Sequence, residues 1–162
     1  MANPPNFKIT VDKLNDLLEA TKLLTQTEVM VGIPSVNAGR KDTPINNATI
    51  GYIHEHGAPE ANIPARPWLG PGVEAAKDQL TKIFREAGKA AYNGRQDLVI
   101  RQLNVAGLTA QVSVQKKLRE GPFVPLAPAT IARRRARGVT RTKPLIDTGQ
   151  LLQSVTYVLR KR

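Results

Sequence analysis

The chain contains no cysteine, which excludes disulfide scaffolds, thiolate zinc sites and catalytic thiols. It holds 2 histidines, too few for a histidine-rich metal centre. Aromatic residues make up 4% of the chain, and Trp68 is its single tryptophan, so there is little material for the stacked platforms that hold unpaired bases. No run of about 18 apolar residues occurs, and no segment reads as a membrane span. Met1–Thr10 lacks the apolar core of a secretory leader. The chain is therefore expected to act in the reducing compartment where it is made.

Most of what remains is ordinary. Hydrophobic residues are 41% and charged residues 23% of 162 residues. That balance excludes collagen, low-complexity and fully disordered chains, and the length suits one domain over 1–162. Charge is the exception: 24 Lys and Arg stand against 13 Asp and Glu, a net +11. Half of the basic residues lie from Lys116 onward, where Glu120 and Asp147 are the only acids. A field of one sign confined to one part of the chain suits nucleic acid or an acidic protein surface.

Alternating apolar residues predict strands at Phe7–Val11, Thr27–Ile33 and Val155–Leu159. Spacings of three and four predict helices at Asp12–Leu24, Ala48–His56, Val73–Tyr92, Gln96–Leu118 and Ala129–Arg137. Asp12 caps the first of these, and Asn46 or Asn47 the second. Gly57 and Gly138 are placed to end helices. Pro34–Asn47 reads as an exposed loop that a partner would have to hold. Ala58–Gly72, with Pro59, Pro64, Pro67 and Pro71, reads as an extended connector and not regular structure. Asn93-Gly94 leaves a short join between the two longest helices, so these form a hairpin; Gly107 in the second marks a close helix contact. The sum is an α+β fold, a small mixed or antiparallel sheet packed against a long helical hairpin with extended loops.

Four constellations carry potential chemistry. His54-Glu55-His56 resembles ligand material, but residues two apart on a helix point about 200° from each other, and no metal site is expected. Asp147-Thr148-Gly149 spells the active-site turn of an aspartic protease. That chemistry needs two such aspartates sharing a proton, and the residues after Asp147 are too few to build the rest of a lobe. Asp147 is read instead as the N-cap of a helical turn at Gly149–Leu152, setting with Thr148 and Gly149 the turn that launches the last strand. In Ile63–Leu69, Pro64 and Pro67 bracket Arg66 and pre-set an extended backbone, leaving Trp68 to anchor either the core or an interface. The last is the basic run Arg133, Arg134, Arg135, Arg137, Arg141 and Lys143. On a helix Arg133 and Arg137 share a face while Arg134 and Arg135 fan outward. Guanidinium forks suit phosphate, and with no aromatic residue interleaved any nucleic-acid contact is to backbone and blind to sequence. An acidic partner surface is the other reading of this run.

Two of these segments combine in a pattern. Gly51-Tyr52-Ile53-His54-Glu55-His56-Gly57 followed by Ile63-Pro64-Ala65-Arg66-Pro67-Trp68-Leu69 resembles the E-x-G … I-P-A-R-P-F-L signature of tailed-phage virion morphogenesis proteins. Lys143 to Tyr157, with Pro144-Leu145-Ile146-Asp147-Thr148-Gly149 at its centre, is similar to their P-L-x-D-T-G-x-L-x-x-S-I-x-Y close. Order and gap also agree, over Ala48 to Val158. Trp68 stands where phenylalanine is more usual, and Gln150 where arginine is frequent.

The resemblance implies a non-enzymatic structural protein at the head–tail junction, found in the virion neck or tail and in the host cytoplasm during assembly. It implies a homo-oligomeric ring, hexamer or dodecamer, that acts as a collar, neck or tail-completion element and touches other neck, connector and tail proteins. Subunit or partner contacts are then expected at His54, Glu55, Pro64, Arg66, Pro67 and Trp68. Contact with packaged DNA or an acidic partner is expected at Arg133, Arg134, Arg135, Arg137, Arg141 and Lys143. No cofactor, metal or membrane is implied. Two other classes stand beside this one, a sequence-independent nucleic-acid-binding module and an enzyme of the aspartic protease or metal hydrolase kind.

Overall fold

Alternation near the start of the described chain produces one strand, and its partner comes from the far end. The structure, a computed structural model, describes residues 13–40 and 44–162; the expected strand Phe7–Val11 and the cap Asp12 lie outside them. Helix α1 (Leu14–Gln26) runs without a loop into β1 (Thr27–Gly32). β1 pairs antiparallel with β2 (Thr156–Lys161), placing Val29 opposite Leu159 and Val31 opposite Tyr157. Among the described residues the sheet has these two strands. Its apolar face turns toward the helices, where Val29 and Leu159 join a core cluster, while Met30 and Val158 stay exposed on the other face. Glu28 accepts from Arg160 at 2.8 Å and Arg162 at 2.5 Å, and these bonds hold its carboxyl below the ordinary carboxylate value.

The remaining elements are α2 (Asn47–His56), α3 (Leu69–Glu74), α4 (Lys77–Tyr92), α5 (Gln96–Glu120), α6 (Pro128–Ala136) and α7 (Gln150–Ser154). The α+β class and the α4–α5 hairpin are as the periodicity predicts. Asn46 caps α2, its Oδ1 accepting from the Thr49 N–H at 2.8 Å. α5, at 25 residues, is about 37 Å long and acts as a spine. Its first half carries Val99 and Leu103 into a cluster with Ala20, Ala90 and Ala91. Its second half carries Val114 and Leu118 into a cluster with Trp68, Leu145, Leu151 and Val155.

Three expectations are corrected. The helix expected over Val73–Tyr92 is two helices, because α3 begins at Leu69 and the chain turns at Ala75–Ala76. Pro71 does not prevent α3: it sits in the first turn, where an N–H has no intrahelical partner to lose. The connector expected over Ala58–Gly72 therefore gives way to helix at Leu69, and Gly72 lies inside α3 as a contact point. A Cβ there would lie 2.8 Å from Val114 Cα, so α3 and α5 cross backbone to backbone, and the Ser113 hydroxyl donates to the Gly72 carbonyl at 2.6 Å. Gly107 marks a close approach to the sheet, not to a helix. A Cβ there would overlap the Tyr157 ring, whose hydroxyl bonds Asn104 at 3.0 Å.

Candidate functional site

The segment Gly51–Gly70 folds back on itself as a clasp. Gly57 ends α2 at φ 81°, and a Cβ on it would lie 2.8 Å from the Ala65 nitrogen; both facts require glycine. Ala58 and Ile63 then exchange backbone bonds of 2.8 and 3.0 Å across a tight turn, and the Arg66 N–H donates to the His54 carbonyl at 2.7 Å. Glu55 reaches across from α2 and accepts three backbone N–H groups at the start of α3, from Trp68 at 2.6 Å, Leu69 at 2.8 Å and Gly70 at 3.0 Å. A helix start leaves such donors without partners, and a carboxylate also suits its positive end. Trp68 is 3% exposed and donates from Nε1 to the Gly51 carbonyl at 3.0 Å.

Arg66 is buried too. Its fork donates to the Val124 and Pro125 carbonyls at 2.8 and 3.0 Å, stitching the clasp to the irregular stretch between α5 and α6. His54 and His56 diverge, as their spacing predicts. His56 lies exposed beside Tyr52, ring centroids 4.5 Å apart. His54 points inward, and its Nδ1 is buried without a hydrogen-bond partner. Desolvation first, then the nearby Arg66 and Arg134 charges, push its pKa down to about 4, so the imidazole is neutral at pH 7.

The basic segment divides. Arg134 is 6% exposed, contrary to the expectation that it fans outward. One of its nitrogens, Nη1, donates to the carbonyls of Arg141, Lys143 and Ile146 at 3.1, 2.9 and 3.0 Å. Those bonds brace Leu145, a buried side chain at φ 63°, a left-handed conformation that costs a non-glycine residue about 1–2 kcal/mol. Asp147 does not cap α7. Gly149 holds the N-cap position at φ 88° with no side-chain cap bond, and Thr148 Oγ1 accepts from Gln150 Nε2 at 3.1 Å. Asp147 instead accepts from Arg137 at 2.9 Å and lies 3.7 Å from Arg134, while its carbonyl accepts from Arg141 at 3.3 Å. Arg133, Arg135 and Lys143 are exposed.

The expected contact residues therefore separate by burial. Arg66 and Trp68 are buried, while Glu55 and His54 are half-buried, with the Glu55 carboxylate occupied by the start of α3. Pro64 and Pro67 stay exposed. One residue whose role sequence reasoning missed is Asn47, 2% exposed. Its N–H donates to the Ala38 carbonyl at 2.7 Å, its Nδ2 donates to the Gly39 carbonyl at 3.2 Å, and its Oδ1 accepts from Arg40 at 2.9 Å. The loop before α2 is thus held from within along Ala38–Arg40. The signal was a second asparagine beside the capping Asn46.

Among the described residues no three His, Asp or Glu side chains cluster closely enough to hold a metal ion. No helix among them is long and apolar enough to cross a membrane. No known family model, curated protein or solved structure matches the chain.

Proposed function

We propose that the chain is a structural subunit of a tailed-phage virion, assembling into a ring of six or twelve copies that joins or completes the tail at the head–tail junction. It works by contact, not by chemistry. The observation that carries this reading is the meeting of the two motif segments. Gly51 and Trp68 from one, and Leu145, Leu151 and Val155 from the other, pack into a single core around the end of α5. A pattern of residues devoted to holding a subunit's shape suits a building block.

Surfaces remain for neighbours. Leu108 and Val112 are exposed one turn apart on α5 and line one recess with Ala75 and Ala76, and a contiguous apolar patch suits burial between subunits. Arg133, Arg135 and Lys143 supply the positive flank. Purified phage particles provide the test: peptides of this chain are expected at six or twelve copies per particle, and particles free of it overturn the proposal. The basic flank also favours a second reading, a sequence-independent nucleic-acid-binding module. In that case the isolated monomer binds duplex DNA at physiological salt, with an affinity that falls steeply as salt rises.

A further inference from the structure

A recess of about 330 Å³ opens between α2, α6 and α7, lined by Arg40, His54, Thr130, Arg133, Arg137 and Asp147 among others. Arg134 also reaches its wall, so four arginines and one carboxylate line the same recess. Asp147 accepts from Arg137 at one oxygen while its other lies 3.7 Å from Arg134, and Arg40 donates to Asn47. Arg133 has no hydrogen bond or ion pair among the described residues. Two buried polar atoms at the recess, His54 Nδ1 and Asp147 Oδ1, lack a hydrogen-bond partner, and buried polar atoms in that state call for an explanation; a protonated phosphate oxygen can donate to the carboxylate.

We propose that this recess binds a phosphate group. Like charges gathered at short range repel one another unless an anion sits among them. Guanidinium forks match oxyanion geometry and give the stronger, charge-assisted hydrogen bonds. The donors lining the recess, the Arg133 and Arg137 guanidiniums and the Thr130 hydroxyl, outnumber what a two-oxygen carboxylate uses and suit a tetrahedral group, with the His54 ring beside them. Arg135 lies on the same helix, also exposed and without a side-chain partner among the described residues, but it does not line the recess. Phosphate arrives either free or as part of a nucleic acid; the latter deepens the basic-surface reading above and rests on it.

The test is a titration of inorganic phosphate into the full chain, followed by the His54 imidazole resonances in NMR spectra. A saturable shift is expected, weakened about tenfold in Arg133→Gln and less than about twofold in Arg135→Gln. Both side chains are exposed, and unchanged circular dichroism spectra verify that the variants fold. A short DNA duplex titrated in the same way identifies the source. The same shift and the same dependence on Arg133 make nucleic acid the carrier, whereas a shift with inorganic phosphate alone makes this a free-phosphate site; either result supports the proposal. Three results overturn it: no saturable shift with either ligand, equal loss in the two variants, or a glutamate-rich peptide that occupies the recess in preference to phosphate. None of these outcomes bears on whether the chain is present in virions, which particle composition decides separately.

Discussion

The clasp around Trp68 and the basic segment after α5 each bury one arginine, and neither arginine relies chiefly on a carboxylate. Arg66 ties the backbone carbonyls of Val124 and Pro125. Arg134 ties those of Arg141, Lys143 and Ile146. Both serve stretches with no regular secondary structure, whose carbonyls have no ladder or helix to accept into, and a guanidinium brings five donors on one side chain. The regions differ in how visible this is. Arg66 stands alone between two prolines, so its part in the backbone is easy to suspect. Arg134 stands among three other arginines, and charge alone does not tell the structural one from the surface ones.

Breaking the Arg134 anchor gives the largest expected effect. Arg134→Ala strands three carbonyl acceptors and releases the left-handed turn at Leu145. A loss of about 3–5 kcal/mol in denaturant unfolding is expected, whereas Arg135→Ala stays within about 0.5 kcal/mol. Equal effects of the two substitutions would remove the distinction between the regions. It follows that a charge-reversal test of the basic flank must change Arg133 and Arg135 and leave Arg134 in place.

On the clasp side, Glu55→Ala removes the acceptor for three N–H groups and is expected to cost about 2–3 kcal/mol. Glu55→Gln, which keeps one carbonyl oxygen, should cost less. Thermal unfolding of the pair reads both, and a full loss in Glu55→Gln would show that charge outweighs geometry there.

The charges of both buried arginines reach His54, which reports on both. Its folded pKa of about 4 lies below the ordinary value near 6.5, so the unfolded chain binds more protons in between. Its contribution to stability is therefore fully present above pH 6.5 and falls as pH drops toward 4, by on the order of 3 kcal/mol. His54→Gln is expected to flatten that part of the pH–stability curve; an unchanged slope would place the pH dependence elsewhere. The smallest expected effect is at the sheet. Gly107→Ala improves helix propensity yet meets the Tyr157 ring, and a net loss of about 1–2 kcal/mol is expected. Tyr157→Ala in the same background should recover the helix benefit.

Sequence pattern carried the hairpin, the Gly57 terminator and the pairing faces of the two strands, because periodicity reports which side of an element is buried. It did not carry the break at Ala75–Ala76, since α3 and α4 continue each other's apolar spacing and the turn is made by the α3–α5 crossing at Gly72. Nor did it carry the assignment of Asp147, whose Asp-Thr-Gly setting suits a cap until Arg137 competes for the carboxylate. Arg134 was within reach. Ile131 is the apolar residue in the middle of α6 and marks its inner side, and Arg134 lies one turn further along the same face. The distant acceptors for Arg66, and the three N–H groups gathered by Glu55, depend on loop paths that no local spacing encodes.

Electron microscopy of phage assembled without this chain tests the proposed joining role most directly. Filled heads and finished tails that remain apart, and that join when the wild-type chain is supplied, are the predicted result. Intact particles at normal yield in its absence would contradict it.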